Sequence, residues 1–301
     1  MLSSSRKILL VLVLLAMLVG SAFTTVSPAR AAADAQQDDG RITVLLLGAD
    51  TRPRYRTERP RTDSIMLLMV DPQQQTGGVL SIPRDLYVEI PGWGFSDRIN
   101  AAYRLGGGEL AMKTVEHNFG IQVDYYVLVE FDGFTTLIDE IGGLDVYVPR
   151  RIHDPLYPGM NGGFDPFTIE QGVQHMDGET ALKYVRTRYT DSDFGRLQRQ
   201  QDVLFALRDK VLSLNMLPTL IAKAPSLYAT IGNSIRTNMG LGEMIAAAQA
   251  AYGIPRENIR SATIDRSHTT PFVTTQGADV LLPDEEKINA LVAEVFWLSE
   301  E

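Results

Sequence analysis

The chain contains no cysteine, and only four of its 301 residues are histidine. The lack of cysteine excludes disulfides, thiolate nucleophiles and cysteine-ligated metals. The histidines are His117, His153, His175 and His268. Because they are widely scattered, a histidine-based zinc site is not expected. Any metal would have to be held by carboxylate oxygens, which favours a hard cation such as Mg²⁺ or Mn²⁺.

Positive charge is also scarce, since 28 lysines and arginines face 37 aspartates and glutamates, for a net charge of −9. A surface with this balance does not attract nucleic acid as a whole, so a polyanion would need a local basic patch. The apolar fraction of 45% is ordinary for a globular protein. No repeat or change of composition interrupts the chain after residue 41, which favours a single domain over residues 42–301.

Several catalytic signatures are absent. The sequence has neither a Gly-x-Ser-x-Gly nucleophile motif nor a phosphate-binding Gly-Lys-Ser/Thr loop. Asp193-Phe194-Gly195 matches part of a kinase signature, but no glycine-rich loop, strand lysine or His-Arg-Asp accompanies it. These absences exclude the serine-hydrolase, P-loop and protein-kinase classes.

The N-terminus resembles an export signal. Arg6-Lys7 precedes an apolar run from Ile8 to about Phe23, and small residues follow up to Ala33. Residues 1–33 are therefore predicted to be a signal peptide or an uncleaved single-pass signal anchor, and residues 34–41 a polar linker. Either outcome places the working domain outside the cytoplasm, secreted to the cell wall or anchored to the membrane.

Apolar runs that predict buried strands alternate with segments of helical spacing. The strands are expected at 42–48, 65–70, 79–82, 125–129 and 144–148, and helices at 109–119 and 131–141. Residues 97–103 are predicted to be helical and Gly106–Gly108 to be a loop, with further helices after Asp193, over 241–252 and over 284–297. The alternation predicts an α/β fold whose sheet is covered by helices on both faces.

An arginine-rich stretch runs from Arg186 to Gln201. Arg186 and Arg188 would project to the same side of an extended segment. Arg196 and Arg199 lie on the helix that follows Asp193, close to its N-terminus, where free N–H groups favour negative charge. Guanidinium groups bind phosphate oxygens in a bidentate way, so the cluster predicts an anion site, most naturally for phosphate. Salt bridges on a solvated face are the alternative.

Carboxylates and a further arginine lie at predicted strand ends. Asp50 follows the first strand, Asp63 precedes the second, and Arg84 follows the third. Ligands of α/β sheets collect at such an edge, and two carboxylates suit Mg²⁺ that completes its coordination with water and phosphate. Turn capping or pairing with Arg61 is the alternative for each aspartate. Arg98 and Asn100 follow in a polar segment, where Asn100 could instead serve only as a helix cap.

Seven motifs in order resemble the LytR-CpsA-Psr family of cell-wall glycopolymer transferases, most strongly over residues 42–215. They are Gly48-Ala49-Asp50, Arg61-Thr62-Asp63, Ser81-Ile82-Pro83-Arg84-Asp85, Ile99-Asn100-Ala101-Ala102-Tyr103, Gly142-Gly143 with Asp145-Val146, Asp177-Gly178 with Ala181-Leu182, and Arg186-Thr187-Arg188 continuing through Asp193-Phe194-Gly195-Arg196 to Arg199-Gln200-Gln201. The resemblance implies a three-layer αβα sandwich with a central mixed sheet and an apolar lipid pocket. It also implies a membrane anchor and transfer of a glycopolymer phosphate from a polyprenyl-pyrophosphate carrier onto peptidoglycan.

The resemblance also implies roles for single residues. Asp50 and Asp63 correspond to the family's metal-binding carboxylates, for Mg²⁺ or Mn²⁺. The residues expected in catalysis are Asp63, Arg84, Arg186, Arg188 and Asp193. The residues expected to bind the donor are Arg52, Arg84, Arg98, Asn100, Arg186, Arg188, Arg196, Arg199 and Gln200. Asp63 and Asp193 are both candidates for the general base, and the sequence does not choose between them.

Two other functions remain open at this point. One is a non-catalytic module that binds a polyprenyl phosphate or an anionic glycan, and the other is a hydrolase that cleaves the same carrier with water. A transcriptional role conflicts with the export segment and with the acidic net charge. The expected partners are the lipid-linked donor, peptidoglycan and the membrane, with no nucleic acid.

Overall fold

The computed structural model describes residues 40–50, 59–159, 162–189, 193–213 and 234–298. Its strands in chain order are β1 (Ile42–Ala49), β2 (Thr62–Asp71), β3 (Thr76–Ser81), β4 (Tyr87–Ile90), β5 (Phe95–Arg98), β6 (Tyr125–Glu130), β7 (Leu144–Val148), β8 (Ile152–Asp154), β9 (Phe167–Ile169), β10 (Gly172–Met176), β11 (Ile235–Thr237), β12 (Ile259–Thr263), β13 (Thr269–Val273) and β14 (Asp279–Pro283). Its helices are α1 (Ala101–Phe119), α2 (Phe131–Glu140), α3 (Gly178–Arg186), α4 (Asp193–Ser213), α5 (Leu241–Tyr252) and α6 (Glu285–Val295).

A six-stranded mixed sheet lies at the centre, in the order β11-β6-β1-β2-β3-β12. The pairs β1–β6 and β3–β12 are parallel, whereas β1–β2, β2–β3 and β6–β11 are antiparallel. Because β2 runs against β1 and β3, the end of β1, the start of β2 and the end of β3 meet at one edge of the sheet. The predicted arrangement of Asp50, Asp63 and Arg84 at one edge follows from this topology.

The two faces of the sheet carry separate apolar cores. Along β1, Leu45 and Leu47 point to the face covered by α1 and α6, while Val44 and Leu46 point to the opposite face. That second face is covered by α2, α3, α4 and α5 together with the small β7–β10 and β8–β9 ribbons. The predicted three-layer αβα sandwich with a central mixed sheet is thus confirmed.

The predicted loop at Gly106–Gly108 is reduced to a kink, at which two helical segments of α1 meet. The kink lies at Gly107, whose φ of 72° and ψ of −162° are not helical. A conformation with positive φ and ψ near 180° is essentially restricted to glycine. The glycines therefore bend the helix rather than end it.

The expectation that Arg186 and Arg188 share an extended segment also needs correction. Arg186 is the last residue of α3, and Thr187, which follows it, has left the helical conformation with a ψ of 145°. The chain leaves the helix at this point, and both side chains still reach the same cavity.

Three predictions from the sequence fall wholly or largely on residues that the structure does not describe. They are the export segment 1–33, nearly all of the linker 34–41 and the apolar stretch after Leu214. Within the described ranges, no helix is long and apolar enough to cross a membrane.

Candidate active site

A cavity of about 920 Å³ lies between the sheet and the helices α3 and α4. Its wall is largely apolar along the sheet and along α4, and its charged residues gather at the strand edge described above. The apolar lining comprises Leu46, Leu47, Met66, Val129, Phe131, Phe134, Leu182, Val185, Val203, Leu204 and Leu207. The charged lining comprises Asp50, Arg61, Asp63, Arg84, Arg104, Asp154, Arg186, Arg188 and Arg196. The cavity therefore has a cationic mouth and an apolar interior.

Arg84 and Asp63 face each other at this mouth. The Arg84 Nη1 donates a hydrogen bond to the Asp63 Oδ1 at 2.8 Å, and its Nε donates to the Asp85 Oδ2 at 3.2 Å. Although burial acts to lower the pKa of Arg84, the charges of Asp63 and Asp85 raise it above its ordinary value. Arg84 is thus a fixed cation, held by two carboxylates.

Arg186 is held between aromatic rings. Its Nη1 donates to the Tyr157 hydroxyl at 2.5 Å, and its guanidinium carbon lies 4.4 Å from the centre of the Phe131 ring. The Asp50 carboxylate lies 4.0 Å away. Both Arg186 and Asp50 side chains are only 14% exposed. Stacking on aromatic faces fixes the plane of a guanidinium group, so Arg186 is oriented before any ligand binds.

Arg188 and Arg196 share one carboxylate, that of Asp193. The Asp193 Oδ1 lies 3.2 Å from the Arg188 Nε and 3.3 Å from the Arg196 Nη1. Burial, and next the charge of Arg84, lowers the pKa of Arg188. Burial, and next the charge of Arg188, lowers the pKa of Arg196 to about 10. These arginines are crowded cations that gain if an anion binds.

Arg196 is the most unusual member of the cluster, because its side chain is only 3% exposed yet lines the cavity. Its Nε and Nη2 atoms have no hydrogen-bond partner among the residues that the structure describes. Buried charged donors without a partner are costly in free energy. The position of the Arg196 guanidinium therefore suits the binding of a multivalent oxyanion.

Arg199 and Gln200 secure the turn between α3 and α4. Arg199 donates to the backbone carbonyls of Tyr184, at 2.9 Å, and of Thr187. Gln200 lines the cavity, accepts a hydrogen bond from the Ser64 hydroxyl at 2.9 Å and donates to the Val185 carbonyl at 3.3 Å. Arg199 therefore points away from the cavity wall, whereas Gln200 ties α4 to β2 within it.

Two further predicted site residues, Arg98 and Asn100, do not line the cavity. Arg98 donates to the Asp279 carbonyl and lies 3.3 Å from the Asp85 carboxylate, behind Arg84. Asn100 is buried at the start of α1, where its side chain makes no capping hydrogen bond. Arg52 lies outside the described residues. Arg98 supports Arg84 indirectly, through the carboxylate that they share.

The predicted metal ligands, Asp50 and Asp63, both line the cavity. Among the described residues there is no group of three or more His, Asp or Glu side chains that could enclose a metal ion. Mg²⁺ commonly takes one or two protein carboxylates and completes its shell with water and phosphate oxygens. The donor set therefore fits Mg²⁺ bound together with a phosphorylated ligand, and does not fit a cage made of protein alone.

Several lining residues were missing from the predicted site, namely Arg61, Ser64, Arg104, Phe131, Asp154 and Tyr189. Arg61 lies inside a quoted motif and could have been included on that signal. Arg104 reaches the mouth from the first turn of α1, and no local pattern marks it. Asp154 accepts a hydrogen bond from the Thr187 hydroxyl at 2.6 Å and so holds the residue between Arg186 and Arg188.

Comparison with known proteins gives a consistent result. A model of the LytR_cpsA_psr family matches residues 20–296. The polyisoprenyl-teichoic acid–peptidoglycan teichoic acid transferase TagU of Enterococcus faecalis is 35% identical over 217 residues, covering 70% of this chain and 67% of that protein. The corresponding transferase TagT of Bacillus subtilis is 36% identical over 207 residues, covering 68% of this chain and 62% of that protein. The matched region thus spans about two thirds of these relatives.

The fold is similar to that of a solved relative with a ligand. The structure of TagT bound to LI-WTA superposes with a TM-score of 0.68 at 29% identity, covering 92% of this chain and 97% of that one.

Proposed function

The chain belongs to the LytR-CpsA-Psr family, and on that premise we propose that it is a phosphotransferase. It moves a glycopolymer phosphate from a polyprenyl-pyrophosphate carrier onto peptidoglycan and forms a phosphodiester bond. The observation that carries the proposal is the buried Arg196 guanidinium at the mouth of an apolar cavity, whose Nε and Nη2 atoms have no hydrogen-bond partner among the described residues. Such a site suits a ligand with a dianionic head and a long apolar tail.

The reaction requires one bond to form and one to break. An acceptor hydroxyl oxygen attacks the phosphorus that carries the glycan, and the bond from this phosphorus to the bridging oxygen breaks. Polyprenyl phosphate leaves with that oxygen. Charge spreads over the phosphoryl oxygens during displacement, so fixed cations stabilise the transition state. Arg84, Arg188 and Arg196 supply those cations. The orientation of the Arg186 guanidinium is fixed by its aromatic neighbours.

The acceptor hydroxyl must also lose a proton. Asp63 lines the cavity, whereas Asp193 lies between Arg188 and Arg196 and is not part of the lining. Because Asp63 lines the cavity and Asp193 does not, we assign Asp63 as the base that accepts the proton. An Asp193→Asn variant tests the assignment, because a loss of transfer as large as that of Asp63→Asn would move the role to Asp193.

Mg²⁺ or Mn²⁺ would be held by Asp50 and Asp63. It would supply additional positive charge to the pyrophosphate oxygens. The arginines supply positive charge at the same place without the metal ion, because Arg84 pairs with Asp63 and Arg186 lies beside Asp50.

We further propose that the domain works outside the cytoplasmic membrane. The basic start, apolar run and small residues of segment 1–33 support export, and peptidoglycan and the exposed carrier lie on that side. Segment 1–33 then serves as a signal anchor or is removed as a signal peptide.

The decisive experiment supplies the full chain with Mg²⁺, a polyprenyl-pyrophosphate sugar and peptidoglycan fragments, and follows the products by mass spectrometry. A transferase forms a peptidoglycan adduct that carries the sugar phosphate. Free sugar phosphate alone would instead identify a hydrolase, and unchanged donor bound to the protein would identify a binding module.

Two variants sharpen this experiment. Asp63→Asn is expected to abolish transfer while the donor still binds. Arg151→Gln is the matched control, because Arg151 is an exposed arginine, paired with Glu170 at 2.8 Å, and does not line the cavity. The control should transfer at the parent rate, and an equal loss in both variants would contradict the assignment of the site.

A further inference from the structure

Exposed apolar side chains surround the cavity mouth. Leu156, Phe164 and Tyr189 are 52%, 68% and 57% exposed. Leu156 and Tyr189 line the cavity, and Phe164 pairs through its backbone with Pro158, which also lines it. We call these three side chains the apolar rim. Single exposed apolar residues are common, but a group of them that continues an apolar cavity marks an interaction surface.

The residues beside Leu156 and Phe164 are held firmly from below. Tyr157, between Leu156 and Pro158, is buried, and its ring packs against Phe167. Asp165, next to Phe164, donates its backbone N–H to the Tyr157 carbonyl at 2.8 Å and forms an ion pair with Lys183 of α3 at 2.7 Å. Leu156 and Phe164 are therefore displayed outward beside residues that the fold keeps in place.

Charge around the mouth has the opposite sign to that of the whole protein. Six arginines and three aspartates line the cavity, whereas the chain as a whole carries a net charge of −9. An anionic membrane surface attracts clustered arginines near it and repels the acidic remainder. Such a surface would orient the molecule with its mouth toward the lipid.

We propose that the apolar rim seats the cavity mouth on an anionic lipid bilayer. Leu156, Phe164 and Tyr189 enter the interface, and Arg61 and Arg104 face the headgroups. The apolar tail then moves from the bilayer into the cavity without crossing water, while its phosphates stay at the mouth. That the substrate is carried by the membrane rests on the proposed function. The charge of the mouth and the exposure of the rim do not depend on that function. Aromatic and apolar side chains beside arginines are typical of interfacial contact.

The N-terminal segment allows this orientation. The apolar run ends near Phe23 and β1 begins at Ile42, on the sheet edge opposite to the mouth. The intervening residues 24–41 can span roughly 60 Å when fully extended, whereas β1 is roughly 26 Å long. A retained anchor is thus long enough to let the mouth edge reach the bilayer.

Tryptophan quenching by brominated lipids tests the contact directly in the full chain. The chain has two tryptophans, so Phe164→Trp combined with Trp93→Phe and Trp297→Phe leaves one reporter, on the rim. The control carries Trp297→Phe alone and keeps Trp93. Both proteins are reconstituted in vesicles of phosphatidylglycerol and brominated phosphatidylcholine.

Trp93 is a suitable control because it is exposed on the hairpin β4–β5, far from the mouth. In that hairpin, the backbone of Glu89 forms two hydrogen bonds with the side chain of Asn118, which lies in the last turn of α1. Arg104, in the first turn of α1, lines the cavity. Asn118 is roughly 16 Å along the helix from the bend at Gly107, and Arg104 lies on the other side of that bend. Quenching of the tryptophan at position 164 but not of Trp93 is expected. Absent quenching at 164, or equal or stronger quenching of Trp93, overturns the proposal.

A second measurement uses Phe164→Ser, which removes a rim side chain that does not line the cavity. We expect the rate of transfer from a long-chain donor embedded in vesicles to fall about fivefold to tenfold, because the lost apolar contact weakens the binding of the cavity mouth to the bilayer. Transfer from a short-chain, water-soluble donor should be unchanged. Equal loss with both donors would assign the rim to the acceptor glycan, and no loss with either would also overturn the proposal. If no transfer occurs with the parent protein, the proposed function fails, while the quenching result still decides the membrane contact.

Discussion

At the scale of single residues, Arg196 and Arg199 show how neighbouring arginines of one motif differ. Both are buried on α4, at 2% and 4% exposure. Arg199 donates to the carbonyls of Tyr184 and Thr187 and so joins α3 to α4. Arg196 faces the cavity with two nitrogens that lack a partner among the described residues. Arg199 therefore stabilises the fold, whereas Arg196 is positioned to bind a ligand.

Substitution by methionine, which keeps much of the side-chain volume, should separate the two roles. Arg199→Met removes the buried hydrogen bonds to the two carbonyls that join α3 to α4, so the free energy of unfolding should fall by about 2–4 kcal/mol. Arg196→Met removes a crowded, desolvated cation, so the ligand-free protein should be as stable as the parent or more stable. Urea unfolding measures both effects.

The same variants should respond differently to inorganic pyrophosphate with Mg²⁺. Pyrophosphate should raise the unfolding midpoint of the parent protein, because a ligand that binds only the folded state stabilises it. Arg196→Met should lose most of that increase, whereas Arg199→Met should keep it from a lower starting point. A normal pyrophosphate response in Arg196→Met would remove Arg196 from the anion site.

The sequence could predict that Arg196, Arg199 and Gln200 share one side of a helix, since they are spaced i, i+3 and i+4. It could not predict which of them faces the cavity. That choice depends on how α4 is rotated against the sheet and against α3, which tertiary packing decides. The arginines and carboxylates of the motifs were found by their chemistry, but Arg104 was missed because it comes from a distant helix with no local signal.

At the scale of elements, the bend in α1 places Arg104 at the mouth while the rest of the helix packs on the sheet. Glycine lowers helix propensity, which is why three in a row predicted a loop. The flanking residues nevertheless bury Tyr103 and Leu110 in the same core, and this burial outweighs the propensity. Sequence pattern located most strands and helices, and this tertiary effect explains its error at Gly106–Gly108.

Replacement of Gly107 by alanine should destabilise the protein. The backbone there is accessible almost only to glycine, so Gly107→Ala should cost about 1–3 kcal/mol. Gly242→Ala is the matched control, because Gly242 lies within the regular helix α5 with no atom within 4 Å of an added Cβ. The control should be stabilised by about 0.5–1 kcal/mol.

Thermal unfolding in parallel scans distinguishes the two glycine variants. If Gly107→Ala has the stability of the parent protein, the bend is not required by the fold. A lower affinity for pyrophosphate in Gly107→Ala, with Gly242→Ala unchanged, would further indicate that the bend positions Arg104.

At the scale of the whole molecule, the mixed sheet brings residues far apart in the chain to one mouth, from Asp50 to Arg196. Alternation of strands and helices predicted the layers, but not the strand order or the antiparallel course of β2. Pairing between distant strands depends on contacts that no local pattern encodes. The cavity is a product of that topology, since one wall comes from β1 and β2 and the other from α3 and α4.

Cavity depth leads to a prediction about tail length. On α4 the lining runs from Arg196 at the mouth to Leu207, which corresponds to roughly 16 Å along the helix. Polyprenyl pyrophosphates of increasing length should therefore bind more tightly with each added unit, by at most about 0.8 kcal/mol per buried CH₂, until the cavity is full. Longer tails should add no further affinity, because the cavity offers the additional carbons no more apolar wall to contact. Isothermal titration calorimetry of a length series measures the plateau.

Leu207→Trp should shorten this series, because a larger side chain fills the inner end of the cavity. The affinity for inorganic pyrophosphate should stay at the parent value, since the cationic mouth is distant from position 207, and this measurement also verifies that the variant folds. The plateau should then occur at a shorter tail. An affinity that does not depend on tail length in the parent protein would show that the cavity does not hold the tail, and a plateau unchanged by Leu207→Trp would place the tail along a different wall.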